Sequence, residues 1–417
     1  MARAHQNPDA KPTVGEYRRL REPAPTEQGR HHAIAAAYFE ARERTLDVVT
    51  TTQTPSGQRL DWVPVESQRS GDIASPPPAA AKALLRGADD AGRPTRTARF
   101  ELEEDRAARG PEGTVPVIRK DLSAIPLDGS LHRHLAKRQG RGHRATRSAE
   151  GLSSFPPPEA GGGHRYAESA QWTYNLGAEG YVSINDPYTE ISSDFSLMQM
   201  GVTNHEQGYV QSVEVGIQET LNLYGDWGPH LFVYYTTNGY AAEGNNLGGY
   251  NRDVDGWVQY DDAIYPGAAF TTVSTPGGDQ YDMFMKFQWY DGNWWLMVLD
   301  RWIGYYPGAL FSRNGSVSPS LADYSTMVGF WGEVYDSEDV PGPTTTTMGS
   351  GYWAGSQWPY AAFQRNLRVQ VDAGGSMGDY NANGVVINSP SMYDLELHML
   401  SGSEWGSYQY LGGPGAG

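Results

Sequence analysis

Short runs in which apolar and polar residues alternate recur from residue 166 to the end of the chain. Gly, Asn, Asp and Pro separate the runs, and Tyr290-Asp291-Gly292-Asn293 is typical of a tight hairpin turn. Such alternation predicts β-strands, and this part of the chain contains no long helical pattern. The predicted fold is all-β, an antiparallel β-sandwich of jelly-roll type. The predicted strands lie at 180–185, 194–202, 212–218, 230–236, 256–260, 283–290, 294–300, 327–335, 363–371 and 395–400.

The residues before this region have a mixed pattern and predict a smaller N-terminal domain. Residues 1–30 are polar, contain Pro and show no periodicity, so we expect them to be disordered. The stretch HHAIAAAYFEARERTLDVV, at 31–49, has the Ala content and apolar spacing of a helix.

A basic stretch at 133–147 contains six Lys or Arg and no acidic residue, and Gly and Pro dominate 153–164. Residues 133–165 therefore predict a linker between two unlike domains and an easy target for proteases. A solvated loop without any role in processing explains the same residues equally well.

Charge divides the chain into two unlike parts. Residues 1–150 carry 25 Lys and Arg against 20 Asp and Glu, whereas residues 151–417 carry 7 against 29. We expect the basic part to bind the acidic part of the same chain. Nucleic acid is not an expected partner, because a chain with a net charge of −17 is repelled by phosphate.

Several other classes of protein receive no support from the sequence. No run approaches the roughly 18 apolar residues that a membrane helix needs, so a membrane partner is not expected. The first residues contain no apolar core of a signal peptide, so we expect such a peptide to be absent or already removed. The chain has no Cys and no HExxH, GxSxG or GxxxxGK motif, so neither a metal nor another cofactor is expected.

Two strand-borne glutamates are the candidate catalytic groups. Alternation places Glu214 on the face opposite Val213, and it places Glu333 on the same face as Trp331 and Tyr335. Two carboxylates in an aromatic cleft resist double ionisation, so one can take a proton from water while the other donates one. Activity of such a pair should peak in acid. From alternation alone, exposed carboxylates on a wet sheet face are the simpler interpretation.

Several stretches, taken together and in order, resemble the neprosin family of glutamic prolyl endopeptidases. The resemblance extends over residues 166–417, and GPEGTVPVIR at 110–119 resembles the propeptide motif of the family. The matching stretches are DFSLMQMGV (194–202), VEVG (213–216), LYGDWGPHLFVYYTTNGY (223–240), GWVQ (256–259), GNWWLMVLDRWIGYYPGALF (292–311) and WGEV (331–334).

The resemblance implies a secreted zymogen that cleaves peptide bonds after proline at acid pH. It implies a propeptide at 1–132, a linker with the activation cleavage at 133–165, and a catalytic β-sandwich at 166–417. The expected partners are proline-containing peptides or proteins and the chain's own propeptide, and the expected state is a monomer. Because charge attraction helps to hold the basic part on the acidic part, acid should protonate the carboxylates of the catalytic domain, loosen the propeptide and permit cleavage in or near 133–165.

The catalytic pair of the family corresponds to Glu214 and Glu333 in this chain. Aromatic residues of the matching stretches are the candidates for binding substrate, because an aromatic groove suits the flat proline ring. From the residues alone, the Trp pair at 294–295 is more typical of packing, and the stretch 224–226 is more typical of a turn. The candidates for substrate binding are Tyr224, Tyr235, Trp294, Trp295, Tyr306 and Trp331.

The chain departs from plant members of the family, which have a Cys pair in the segment that corresponds to 241–259. Neither Cys is present here, which suits a bacterial type of member. Other functions remain open at this point. A carbohydrate-binding β-sandwich explains the aromatic residues, and a glycosidase can use the same two glutamates. In an inactive relative, the two glutamates would only pack.

Overall fold

The computed structural model describes residues 25–78, 92–126, 131–137, 163–313, 315–337 and 342–416. Within these ranges no helix is long and apolar enough to cross a membrane. The helices are α1 (Pro25–Glu43), α2 (Glu101–Glu104), α3 (Leu131–Leu135) and α4 (Leu221–Tyr224). The strands are β1 (Thr50–Gln53), β2 (Arg59–Pro64), β3 (Arg96–Thr97), β4 (Thr114–Arg119), β5 (His164–Asn175), β6 (Gly177–Ser183), β7 (Phe195–Asn204), β8 (Gln211–Glu219), β9 (His230–Thr236), β10 (Gly248–Tyr250), β11 (Val258–Gln259), β12 (Tyr281–Tyr290), β13 (Asn293–Val298), β14 (Arg301–Pro307), β15 (Ser325–Tyr335), β16 (Ala362–Gln370), β17 (Met377–Asp379), β18 (Gly384–Ile387), β19 (Asp394–His398) and β20 (Tyr408–Gly412).

Two large sheets pack face to face around the main core. One has seven strands in the order β10-β9-β8-β7-β15-β5-β18. The other has ten, with β11-β14-β13-β12-β6-β16-β20-β19 in sequence, β17 beside β16, and β3 beside β12. Their pairings are antiparallel apart from β3 with β12. The prediction of an antiparallel β-sandwich is confirmed.

The predicted hairpin lies between β12 and β13. Tyr290 pairs with Asn293, and Asp291 and Gly292 have φ of 46° and 73°. Two consecutive residues with positive φ twist the turn in the same sense as the strands that it joins, which is why Asp-Gly is favoured there. The hairpin prediction is confirmed.

The N-terminal segment, meaning the described residues before β5, has its own three-stranded sheet in the order β1-β2-β4. The predicted helix is present as α1, but it begins at Pro25, within the stretch expected to be disordered, and it ends at Glu43 rather than at residue 49. It ends there because the backbone N–H of Val49 already donates to Trp62 O at 2.8 Å, and Thr50 then pairs with Trp62 in the sheet.

The N-terminal segment packs directly against the sandwich. Phe39 and Trp62 belong to the same core cluster as residues of the large sheets, and β3 extends the ten-stranded sheet. Strand β5 begins at His164, within the range that the sequence assigned to the linker. Residues 133–137 of that range are also described and include the end of α3, whereas residues 138–162, and with them any activation cleavage there, lie outside the described residues.

Candidate active site

Strand alternation sends two glutamates to the outward face of the seven-stranded sheet. In β8, Val213 and Val215 enter the main core, so Glu214 points the other way. In β15, Val334 enters the core, so Glu333 also points outward. Strand β7 lies between β8 and β15, so the two glutamates reach toward each other across one intervening strand.

Lys137 occupies the space between the two glutamates. Its Nζ lies 2.5 Å from Glu214 Oε2 and 3.2 Å from Glu333 Oε2. It also donates to Gln199 Oε1 at 2.8 Å. One ammonium group of the N-terminal segment therefore joins both candidate glutamates.

Glu214 is held by neutral donors on its other sides. Its Oε1 accepts hydrogen bonds from Ser212 Oγ at 2.7 Å and from Tyr240 Oη at 2.6 Å. Its Oε2 accepts from Gln199 Nε2 at 3.1 Å, in addition to the bond from the lysine. These donors fix the carboxylate in one orientation, independently of the N-terminal segment.

Glu333 is held by an imidazole and an indole. Its Oε1 lies 2.7 Å from His164 Nδ1, and its Oε2 accepts from Trp331 Nε1 at 3.4 Å. The Trp331 ring passes over Gly201 of β7, where an added Cβ would lie 2.7 Å from the ring. A side chain at position 201 would therefore collide with the ring that donates to Glu333.

The three charged groups are almost completely buried. Glu214 is 0% exposed, Glu333 1% and Lys137 4%. Taking an unpaired charge out of water costs several kcal/mol, so the buried ammonium and the buried carboxylates each need the opposite charge beside them. Aromatic rings surround the ammonium, whose Nζ lies 5.4 Å from the Trp331 ring and 5.7 Å from the Tyr234 ring, close enough for cation–π attraction.

A pocket continues from Lys137 along the outward face of the seven-stranded sheet and is lined by residues of both the N-terminal segment and that sheet. Phe195, Tyr250 and Tyr335 line the side of the seven-stranded sheet, and His134 and Ala136 line the side of the N-terminal segment. A pocket with aromatic walls therefore adjoins the lysine that contacts both glutamates. Within the described ranges, no group of three His, Cys, Asp or Glu side chains is placed to hold a metal ion.

The Neprosin family model matches residues 192–414, which is more than half of the chain. The chain belongs to the Neprosin family. This membership supports a peptidase of the glutamic type, and the matched region contains both Glu214 and Glu333.

Two solved peptidase structures are remotely similar to this Neprosin-family chain. Scytalido-glutamic peptidase with a peptide-based transition-state analogue is 9% identical, with a TM-score of 0.32 over 61% of this chain and 98% of that chain. SCP-B, a member of the Eqolisin family in complex with the tripeptide Ala-Ile-His, is 9% identical, with a TM-score of 0.29 over the same shares of the two chains.

The structure separates the six aromatic residues that the neprosin resemblance proposed for substrate binding. Trp331 contacts Glu333, and Tyr224 lies at the edge of the outward face, where its Oη donates to Gln218 Oε1 at 3.3 Å. The other four lie away from the glutamates. Tyr235, Trp294 and Tyr306 are in the main core between the sheets, and Trp295 is on the outward face of the ten-stranded sheet.

Sequence reasoning missed several side chains of this Neprosin-family site. They are the side chains that hold the two glutamates, namely Lys137, His164, Gln199, Ser212 and Tyr240. The alternation of side chains in β7 and β8 could have indicated Gln199 and Ser212, since both lie on the same face of the sheet as Glu214. Lys137 lies in the basic stretch, where no pattern distinguishes it from its neighbours.

Proposed function

We propose that this chain is the zymogen of an acid-acting glutamic endopeptidase that cleaves after proline. The observation that carries the proposal is the convergence of Glu214 and Glu333 on one buried position. Two carboxylates that meet at one point can hold a water molecule between them. Lys137 of the N-terminal segment fills that point and so keeps the enzyme latent.

The position of the Lys137 ammonium indicates where the attacking water would bind. A water there would lie within hydrogen-bond distance of both glutamates and of Gln199 Oε1, as the ammonium nitrogen does now. The ionised carboxylate takes a proton as the water attacks the peptide carbonyl. The protonated carboxylate donates a proton to the oxyanion or to the leaving nitrogen. Both roles belong to the coupled pair rather than to one residue.

Aromatic walls beside the glutamates support the proline preference. Trp331 borders Glu333, and Tyr250 and Tyr335 line the neighbouring pocket. Proline is a flat apolar ring without a backbone N–H, so it binds against such rings and leaves no donor unsatisfied. We propose these three residues, rather than the core residues Tyr235 and Tyr306, as the proline-binding wall.

The test of this function is hydrolysis of a quenched proline-containing peptide between pH 3 and pH 8, with fragment masses measured. We expect cleavage after Pro, confined to acid, and little cleavage of a matched peptide with Ala in place of Pro. A polysaccharide incubated in parallel tests the glycosidase alternative. Folded protein that cleaves neither peptide at any pH, with the N-terminal segment removed, would exclude a peptidase.

Acid release of the N-terminal segment is expected to depend on His134 of α3. Burial, followed by the positive charge of Lys120, lowers the pKa of His134 from 6.5 to about 4. Lys120 Nζ in turn lies 2.8 Å from Asp253 Oδ2, and His134 Nε2 lies 3.8 Å from the same oxygen. The docked state therefore binds fewer protons than the released state between pH 6.5 and about 4. Docking is fully stable above that window and weakens as the pH falls through it, by on the order of 3 kcal/mol.

We expect His134→Gln, which stays neutral, to keep the segment docked to a lower pH than the wild type. Hydrogen exchange of residues 131–137, compared between the two chains at each pH, measures this. His205→Gln is the matched control, because burial also lowers the pKa of His205 to about 4 but this residue lies at the end of β7 beside Trp172. Equal acid release of the wild type and His134→Gln would show that His134 is not the trigger.

A further inference from the structure

Three side chains form a row on the outward face of the ten-stranded sheet. Val258 of β11 pairs with Tyr305 of β14, and Tyr305 pairs with Trp295 of β13. The rings of Trp295 and Tyr305 lie 4.6 Å apart. We call Val258, Tyr305 and Trp295 the aromatic row. Its members are buried although they face away from the main core, so other residues must cover them.

Part of the N-terminal segment covers the aromatic row. Ile73 and Ala74 pack against it. The backbone N–H of Ala74 donates to Tyr305 Oη at 3.1 Å, and Arg69 Nη1 approaches the same hydroxyl at 3.5 Å. Departure of the N-terminal segment would therefore remove both the apolar cover and the hydrogen-bond donors of Tyr305.

The same segment also covers the edge of the sheet. Strand β11 is an edge strand, and Gln259 turns its backbone N–H and C=O away from β14. The side-chain amide of Gln68 accepts from Gln259 N at 2.9 Å and donates to Gln259 O at 2.6 Å. A peptide strand added to this edge would make the same two bonds. The edge is therefore ready to receive an extended chain once Gln68 has left.

The covering segment continues into a proline run, Ser75-Pro76-Pro77-Pro78, in which Pro77 is buried. Proline-rich peptides are extended, keep their carbonyl groups free and bind to aromatic surfaces. Trp295 and Trp302 on this face have buried indole N–H groups, and among the described residues neither has a hydrogen-bond partner. Free carbonyl groups are the partners that such donors require.

We propose that the aromatic row and the edge of β11 form a binding site for extended proline-rich segments of substrates. In the latent chain, residues 68–78 occupy this site. Its use rests on the proposed release of the N-terminal segment. The site lies on the sheet that does not carry Glu214 and Glu333, so only a long substrate can reach both the site and the cleft. Binding at the site would raise the local concentration of such a substrate at the cleft.

The test uses the full-length chain with Gln68→Ala and Ile73→Asp, which loosen the covering segment. The probe is a labelled peptide with the sequence of residues 71–78, GDIASPPP, and its control has Ala in place of the three Pro. Fluorescence anisotropy should show the probe binding at least tenfold more tightly to the variant than to the wild type. The control peptide should bind at least tenfold more weakly. Adding Tyr305→Phe or Trp302→Phe, each of which keeps a ring and removes a polar group, should weaken binding threefold or more.

Equal affinity for the two peptides, or no effect of either ring substitution, would overturn the proposal. A vacated face that pairs with a second copy of the chain and ignores the probe would overturn it as well. If the loosened variant does not fold, millimolar probe is added to the wild type, where it should accelerate hydrogen exchange of residues 68–74. No change there would also count against the site. Binding needs no hydrolysis, so a chain that binds the probe but cleaves no peptide would retain this site and refute only the peptidase.

Discussion

Replacing Glu214 or Glu333 by Gln is expected to lower kcat for peptide hydrolysis by about a thousandfold or more while the chain stays folded. Gln keeps the size of Glu, and at position 214 it can still accept hydrogen bonds from Ser212 and Tyr240. Its amide can neither take a proton from water nor deliver one to the leaving group. Because the two carboxylates act as a unit, the double variant should be about as inactive as either single variant.

The measurement requires an enzyme that does not depend on its own activity for processing. Trypsin can cut the basic stretch at 138–147, and a pulse of acid then releases the N-terminal segment from every variant alike. Glu179→Gln is the matched control, because Glu179 is a buried carboxylate on the ten-stranded sheet, 3.1 Å from Lys286 Nζ and 3.2 Å from Arg368 Nη1. It should lower the melting temperature and leave kcat within about threefold of the wild type. A Gln variant of either catalytic candidate that keeps a tenth of the activity would place the chemistry elsewhere.

The alternation of strands was sufficient to predict which glutamates leave the core. Val213 and Val215 enter the core on one side of Glu214, and Val334 does so beside Glu333. Period-two alternation is a local property of the backbone, so a single sequence contains it. The hairpin at 290–293 was predictable for the same reason, since its turn chemistry lies within four residues.

The contacts that complete the site are not local. Lys137 meets Glu214 from 77 positions away, and His164 meets Glu333 from 169 positions away. No periodicity connects residues at such separations, and only the fold brings them together. The first strand of the seven-stranded sheet begins at this same His164, next to a Gly-rich stretch that is typical of a linker.

The aromatic candidates show a second limit of sequence reasoning. Trp294 and Trp295 are neighbours on one strand, so one enters the main core and the other faces outward on the opposite side of the same sheet. The residue type alone cannot show which of the two faces a Trp side chain occupies. The face that Tyr235 occupies follows from its pairing with the core residue Val213. Predicting that pairing requires the register between β8 and β9.

Replacing Lys137 by Met is expected to abolish latency. The substitution leaves two buried carboxylates facing each other without their shared cation, which costs about 3–5 kcal/mol. Residues 131–137 should then leave the cleft, and the uncut chain should hydrolyse peptide at least tenfold faster than the uncut wild type at a mildly acidic pH. Hydrogen exchange of residues 131–137 should rise in parallel. Arg44→Met is the control for loss of a positive charge, because the Arg44 side chain is 75% exposed and should not matter.

A double-mutant cycle shows whether the lysine acts through the glutamate. In a Glu214→Gln background one of the two facing charges is already absent. Lys137→Met should therefore destabilise the docking of residues 131–137 by at least about 1 kcal/mol less than it does in the wild type. Lys120→Met should loosen them equally in both backgrounds, because Lys120 pairs with Asp253 rather than with Glu214. If Lys137→Met had the same effect in both backgrounds, its ammonium would not be held by the charge of Glu214. Latency would then depend on the packing of the N-terminal segment rather than on a cation inserted between Glu214 and Glu333.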